Sequence, residues 1–384
     1  MRKWICALMA LIFMMAWLPA VADDSFIVVE EEEVAAPDPR RQARALMRNM
    51  TLEEMIYQLF MVIPEAVSGE DLVKQWEAGT LSQYPVGGII LFGQNIVSEA
   101  QLQALTAAIQ ADAEAAGIYP LFIAVDEEGG SVSRVANKLG YEKASSPHLI
   151  GASGDENQAY LAGWKIAGYL SPLGINLALS PVADVLLTEN EEIGNRAYGK
   201  DPQLVSNMAS AMAAGLRDGG MIPCYKHFPG HGSLEGNTHK GSASTRRTPD
   251  EMMAFEWIPF QNGIEQGVEM IMISHLIARG MGDDVPASLS PVVIQQYLRE
   301  TLGYDGVVIT DALRMNAITE NYKPGTAAKM ALQAGADIIL LPGSFGTAAQ
   351  AVMEAVENGE ISRERIEESV ERILALKIQR GLIQ

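Results

Sequence analysis

Cysteine is almost absent, with only Cys6 and Cys224 in 384 residues. Cys6 lies inside an apolar N-terminal run and not just after a small-residue cleavage site, which argues against a lipoprotein. A chain left with Cys224 alone cannot form an internal disulfide. Basic residues are also scarce, with 28 Lys and Arg against 48 Asp and Glu, for a net charge of −20. No Lys/Arg cluster interrupts this acidity, so nucleic acid and anionic membrane surfaces, which need a basic face, are poor partners. Histidine is sparse too, and four of the five (His227, His231, His239 and His275) fall in two neighbouring stretches. A long apolar run opens the chain, from Trp4 to Trp17, preceded by Met-Arg-Lys and followed by Leu18-Pro19-Ala20-Val21-Ala22. A basic start, a short apolar segment and an A-x-A site predict a signal peptide over 1–22. An uncleaved anchor is the alternative, because the stretch barely reaches the length of a bilayer span. The expected location is therefore exported, secreted or periplasmic, with no stable membrane insertion after cleavage.

What the chain does have is enough apolar material for a large core: 48% hydrophobic against 20% charged residues, a globular composition. Residues 23–39, with Glu30 to Glu33 and Ala-Ala-Pro-Asp-Pro, read as an acidic solvated tether. Residues 40–384 read as one domain, since a single α/β barrel commonly uses about 250 to 400 residues. Arg40 to Tyr57 reads as helical, with Thr51-Leu-Glu-Glu as a capping box opening its second segment. Eight short apolar, β-branched runs follow, at Gln58–Ile63, Gly87–Phe92, Leu121–Asp126, Ile175–Val182, Ile222–His227, Val268–His275, Gly306–Asp311 and Ala336–Pro342. Amphipathic stretches such as Glu99–Ala116, Gln158–Leu173, Pro202–Gly219 and Pro249–Gln266 separate most of them, which is the spacing of βαβ units. Periodicity alone does not distinguish an open sheet from a closed one. The polar residues favour closure: Asp126, Asp184, Lys226, His227, Ser274, His275 and Asp311 all stand at the carboxyl ends of the runs, where barrel enzymes carry their sites. The expected fold is a single (β/α)8 TIM-type barrel, with Thr347–Asn358 and Ser362–Gly381 as terminal helices packed on it.

Three segments carry candidate chemistry. Lys226-His-Phe-Pro-Gly-His-Gly-Ser-Leu-Glu-Gly-Asn-Thr-His239 leaves a strand end through Pro and Gly into a loop that can hold His239 over the barrel mouth. A zinc site from His227, His231 and His239 with a carboxylate is one alternative, although the Pro229-Gly230 turn breaks the regular spacing that an i,i+4 helical pair supplies. A loop shaped by Gly and Pro for purely structural reasons is another. Gly306-Val-Val-Ile-Thr-Asp311 expels a carboxylate from the core into the mouth, where it can attack an anomeric carbon or serve as a salt-bridged structural Asp. Asp126-Glu-Glu-Gly-Gly-Ser-Val-Ser-Arg134 pairs an acid with a base that either fix sugar hydroxyls or tie the loop to the rim.

Taken together, these segments resemble the single-domain bacterial β-N-acetylglucosaminidases of glycoside hydrolase family 3. The likeness spans about Ala45 to Leu374 through Gly87-Gly-Ile-Ile-Leu-Phe92, Asp126-Glu-Glu-Gly-Gly130, Ser180-Pro-Val-Ala-Asp184, Gly194-Asn-Arg-Ala-Tyr-Gly199, Lys226-His-Phe-Pro-Gly-His-Gly232, Ser274-His275, Ala287-Ser-Leu-Ser-Pro291 and Val308-Ile-Thr-Asp311. The resemblance implies an exo-acting, retaining hydrolase that removes terminal β-linked N-acetylglucosamine from cell-wall or chitin-type carbohydrate, with Asp311 as nucleophile and His239 as acid/base. It also implies that Asp126, Arg134, Arg196, Lys226 and His227 hold the sugar, that no metal or organic cofactor is needed and that the chain works as a monomer, in peptidoglycan turnover. One departure stands out. The family pairs the loop histidine with an aspartate two residues earlier, whereas here the triplet is Asn237-Thr238-His239. Asparagine can orient the ring but adds no negative charge, and Glu235 is a candidate substitute. Two rival functions follow: a sugar-binding relative that has lost turnover through Asn237, and a metal-dependent barrel hydrolase using His227, His231 and His275.

Overall fold

Each of the eight apolar runs contains a strand in the computed structural model, which describes residues 38–188, 192–234 and 237–384. The expected signal peptide and most of the tether lie outside the described residues, as does Glu235. The strands are β1 (Phe60–Val62), β2 (Gly88–Leu91), β3 (Phe122–Val125), β4 (Leu177–Ala178), β5 (Ile222–Phe228), β6 (Met270–Ile273), β7 (Val307–Thr310) and β8 (Ile339–Leu340). All pair in parallel, in the spatial order β7-β6-β5-β4-β3-β2-β1-β8. The ring closes between β7 and β8, where Ile309 bridges Ile338 and the Thr310 N–H donates to the Ile338 carbonyl at 3.0 Å. Closure explains why the runs are continuously apolar: one face of each strand meets the barrel interior and the other a layer of helices, and every strand residue is buried.

The helices begin where side chains can take up their first free N–H groups. Thr51 accepts from Glu54 N at 3.2 Å while Glu54 accepts from Thr51 N at 2.6 Å, the expected capping box. Ser98, Asp155, Asp201 and Ser362 cap the helices Glu99–Ala115, Glu156–Leu170, Pro202–Asp218 and Arg363–Gln379 in the simpler way. Proline accounts for two departures from expectation. The stretch expected as one helix over Pro249–Gln266 is two, Pro249–Met253 and Ile258–Glu265. Pro259 has no N–H and its ring would collide with the carbonyl four residues back. The turn between them buries Trp257, which stacks on Phe228 with ring centroids 5.7 Å apart. Likewise Pro172 ends the helix after β3 at Leu170, and a short 3-10 turn, Ser171–Leu173, completes it. Between β6 and β7 lies a ten-residue π-type helix, Val292–Thr301, which the sequence reading did not name.

The N-terminal helix, Pro39–Met47, starts on the Asp38 cap and so takes in the last residue of the expected tether. Its Arg44 donates to Glu371 on the terminal helix at 2.8 Å. Deeper at this lower end of the barrel, the fully buried Asp337 accepts from Val308 N (2.9 Å), Arg299 Nη2 (2.6 Å) and Ser369 Oγ (2.7 Å), with Arg365 and Arg372 each at 3.4 Å. Burial pushes its carboxyl up, but the three guanidinium groups outweigh that and hold it below the usual carboxylate range. One carboxylate thus fastens β7, β8 and the terminal helix together. No helix among the described residues is long and apolar enough to cross a membrane.

Candidate active site

The carboxyl ends of the strands surround a cavity of about 430 Å³. Asp126, Glu128, Arg134, Glu192, Arg196, Lys226, His227, His239, Asp311 and Arg314 all reach it. Every expected site residue except Asn237 is therefore at one mouth.

Asp311 follows β7 directly, so its side chain leaves the apolar strand at the cavity floor. Its Oδ1 accepts the Ala312 N–H at 2.7 Å, and its Oδ2 has no hydrogen bond among the described residues. Burial pushes the carboxyl up, but His275, His227 and the Ala312 N–H favour the ionised form more strongly and hold it down at about 2. Burial lowers the pKa of His275 itself. Its Nε2 must donate, because its partner is the Ala312 carbonyl at 2.9 Å, which leaves Nδ1 to accept from Ser288 Oγ at 2.8 Å.

One wall of the cavity is a charge lattice built from β3 and β5. Past β3 the side chains alternate. Glu127 turns outward to cap the helix Arg134–Leu139 through Val135 N (2.8 Å) and Ala136 N (3.1 Å), and Asp126 and Glu128 turn into the mouth. Glu128 is the hub, holding Arg196 by two parallel hydrogen bonds of 2.8 Å and Lys226 Nζ at 2.6 Å. Burial pushes its carboxyl up, but these two cations hold it far below the usual range. Lys226 also donates to Asp126 at 3.1 Å, while Arg134 stands 3.9 Å from Asp126. The main partner of Asp126 is thus Lys226, and Arg134 lies over the Phe92 ring, as Arg314 does. Gly129 (φ 92°) and Gly130 (φ 59°) make this turn possible; a Cβ on Gly130 would lie 2.6 Å from Ser146 Cβ.

His227 is oriented from behind by the buried Asp184, whose Oδ2 accepts from Nδ1 at 2.7 Å, leaving Nε2 for the cavity. The loop after β5 then lies against the loop after β4. A Cβ on Gly232 would fall 1.4 Å from the Val185 carbonyl oxygen, so only glycine permits the contact. That docking brings His239 into line with Glu192, which the sequence reading missed. Asn237, expected to orient the His239 ring, does something else: its Oδ1 accepts the backbone N–H of His239 at 2.9 Å. Glu128 was legible in principle, two residues beyond Asp126 on the same face. Glu192 had no such signal, because it lies in an irregular loop and meets His239 only through folding.

Among the described residues one group has the spacing to hold a cation, Asp184, His227 and His231, with donor atoms within 4.8 Å of one another. The expected alternative of His227, His231 and His275 is corrected, since both ring nitrogens of His275 are hydrogen-bonded. Asp184 already accepts three N–H groups, from His227 N (3.3 Å), His227 Nδ1 and His231 N (2.7 Å), which is the arrangement of a hydrogen-bonded support for His227.

Comparison with known proteins bears on this site. The N-terminal domain of glycosyl hydrolase family 3 matches residues 51–376. A Beta-hexosaminidase of Nitrosomonas eutropha is 37% identical over 268 residues, covering 68% of this chain and 75% of the relative. A solved glycoside hydrolase family 3 beta-N-acetylglucosaminidase from Paenibacillus sp. superposes with a TM-score of 0.82 at 35% identity over 87% of this chain, which spans 63% of that enzyme's length. The Beta-N-acetylhexosaminidase from Beutenbergia cavernae gives a TM-score of 0.76 at 28% identity, over 87% of this chain and 99% of that one.

Proposed function

Because the chain belongs to glycosyl hydrolase family 3 and is a glycosidase built on a (β/α)8 barrel, we propose that it is an exo-acting, retaining β-N-acetylhexosaminidase removing terminal β-linked N-acetylglucosamine. The observation that carries this reading is that Asp311 and His239 line the same cavity. A carboxylate held ionised with Oδ2 free can attack the anomeric carbon, while the mobile proton of an imidazole opposite it passes to the leaving oxygen. Water, deprotonated by the same imidazole, then releases the sugar from Asp311 with overall retention.

Lys226, Asp126, Arg196, Arg134 and the Nε2 of His227 supply donors and acceptors for the sugar hydroxyls. Their charges are largely balanced within the wall, which suits a neutral ring. No step needs a metal or an organic cofactor. The likeness to named β-N-acetylglucosaminidases supports the acetamido sugar, and the leader expected at 1–22 supports export, where cell-wall or chitin-type oligosaccharides are the available substrates. Purified protein incubated with 4-nitrophenyl N-acetyl-β-glucosaminide, with and without phosphate, tests the reading. β-N-acetylglucosamine as the first-formed anomer is the expected product. Binding without cleavage would mark the sugar-binding alternative, and a glycosyl phosphate product would replace water as acceptor.

A further inference from the structure

The ring of His239 and the carboxylate of Glu192 come from different loops, one after β5 and one after β4. The Glu192 side chain is 3% exposed, whereas that of His239 is 61% exposed. Glu192 Oε1 lies 3.7 Å from His239 Nε2 and 3.5 Å from His231 Nε2. The same carboxylate accepts the Thr238 N–H on Oε2 at 2.9 Å and the Thr238 hydroxyl on Oε1. It therefore grips the residue next to His239 by both backbone and side chain while facing the ring. The loop is pinned from the other side too, since the Ala317 N–H donates to the Thr238 carbonyl at 3.3 Å, six residues past Asp311.

We propose that Glu192 is the positioning carboxylate of the acid/base: it fixes the turn that holds His239 over the cavity and gives the protonated ring a negative partner, the role that Asn237 leaves unfilled. This rests on His239 being the acid/base. When the ring gives its proton to the leaving oxygen it becomes neutral beside the carboxylate. When it takes a proton from water in the second half-reaction it becomes cationic again, and Glu192 offsets that charge.

The surrounding charges do not supply an alternative. His231 is buried, which together with His227 holds it down at about 4, so it is neutral at pH 7. Asp184 and His227 lie behind it and Asp311 is at the cavity floor. The Arg196 Nη1 donates to the Glu192 backbone carbonyl at 3.1 Å, but its charge is taken up by Glu128. Lys240 follows His239 on the loop. Burial raises the Glu192 carboxyl, but the adjacent imidazoles and the two Thr238 hydrogen bonds outweigh it and hold it below the usual carboxylate range.

The test is Glu192→Gln, which keeps an oxygen for Thr238 but removes the charge. The alkaline limb of kcat/KM should move down by about one pH unit, and substrates with poor leaving groups should lose about tenfold more rate than activated aryl glycosides, with KM little changed. Glu192→Asp should fall between. An unmoved limb, or a uniform loss for all leaving groups, overturns the proposal. The His239 ring signals, followed by NMR across pH and identified with His239→Ala, give a readout without turnover: their midpoint should fall in Glu192→Gln, and an equal midpoint refutes the proposal. If the wild type cleaves no hexosaminide, the functional reading fails while this second measurement still decides on Glu192.

Discussion

Replacing Lys377 by methionine should stabilise the protein at neutral and lower pH, and the gain should fade as the pH rises. Lys377 lies on the terminal helix with its side chain fully buried. Its Nζ donates to Gln58 Oε1 at 3.0 Å and sits 5.0 Å from the Phe122 ring centroid, with no ion pair among the described residues. Burial alone lowers its pKa from 10.5 to about 7. The folded value is thus below the unfolded one. Below pH 7 both states carry the proton and the whole penalty of burying an ammonium is present. Between 7 and 10.5 the unfolded chain binds a proton that the folded chain does not, so stability rises with pH. The interval of about 3.5 pH units sets the penalty at roughly 5 kcal/mol at most. Methionine removes it but strands Gln58 Oε1, at about 1–3 kcal/mol, and loses a cation–π contact of about 1 kcal/mol. A net gain of about 1–3 kcal/mol near pH 6.5 remains, and by about pH 9.5 the difference should have dropped by roughly 3 kcal/mol. Urea unfolding of both proteins at several pH values measures this. If the two stability curves run parallel, the buried ammonium is not what sets the pH dependence.

Asp311→Ala should reduce kcat by more than about a thousandfold, roughly 4 kcal/mol of transition-state stabilisation, with an unchanged melting temperature; a smaller loss in steady-state assays removes Asp311 as nucleophile. Glu128→Gln leaves Arg196 and Lys226 without their shared carboxylate, so thermal melts should report a loss of about 3–5 kcal/mol and KM should rise; an unaltered KM would show that the hub does not shape the sugar wall. Asn237→Asp should raise the alkaline limb of kcat/KM by less than Glu192→Gln lowers it, because position 237 faces the backbone of His239; a larger upward move would make residue 237 the ring's main partner. Dialysis against EDTA should leave the rate unchanged, and a loss restored by zinc would assign a metal to Asp184, His227 and His231.

Much of this architecture is legible in the sequence because it depends on local pattern. Continuous apolar runs such as Gly87–Phe92 have no solvent face and read directly as barrel strands, and Thr51 and Glu54 announce a helix start by spacing alone. Strand-end polar residues such as Asp126, Lys226 and Asp311 share a rim because parallel strands put all their carboxyl ends on one side. What depends on tertiary contact is less legible. Glu192 meets His239 only because Gly232 lets one loop lie on another, and the break at Ala254–Trp257 is set by Pro259 and by the need to bury Trp257 on Phe228. Sequence alone points Asn237 at the ring because it shows which residues are near in the chain, not which atom of His239 a short amide reaches.

The carboxylate at the foot of the barrel has a practical consequence. Asp337 and its arginines fasten the fold at the end opposite the cavity, so the sugar-facing loops are not what keeps the chain closed. Changes in the loops around His239 and Arg314 should combine nearly additively with changes near Asp337, since distant sites with no shared partners do so. Loop libraries around His239 or Arg314 can therefore be screened for new glycosides on a scaffold whose heat resistance is set elsewhere, and stabilising substitutions near Asp337 can be added afterwards without repeating the screen.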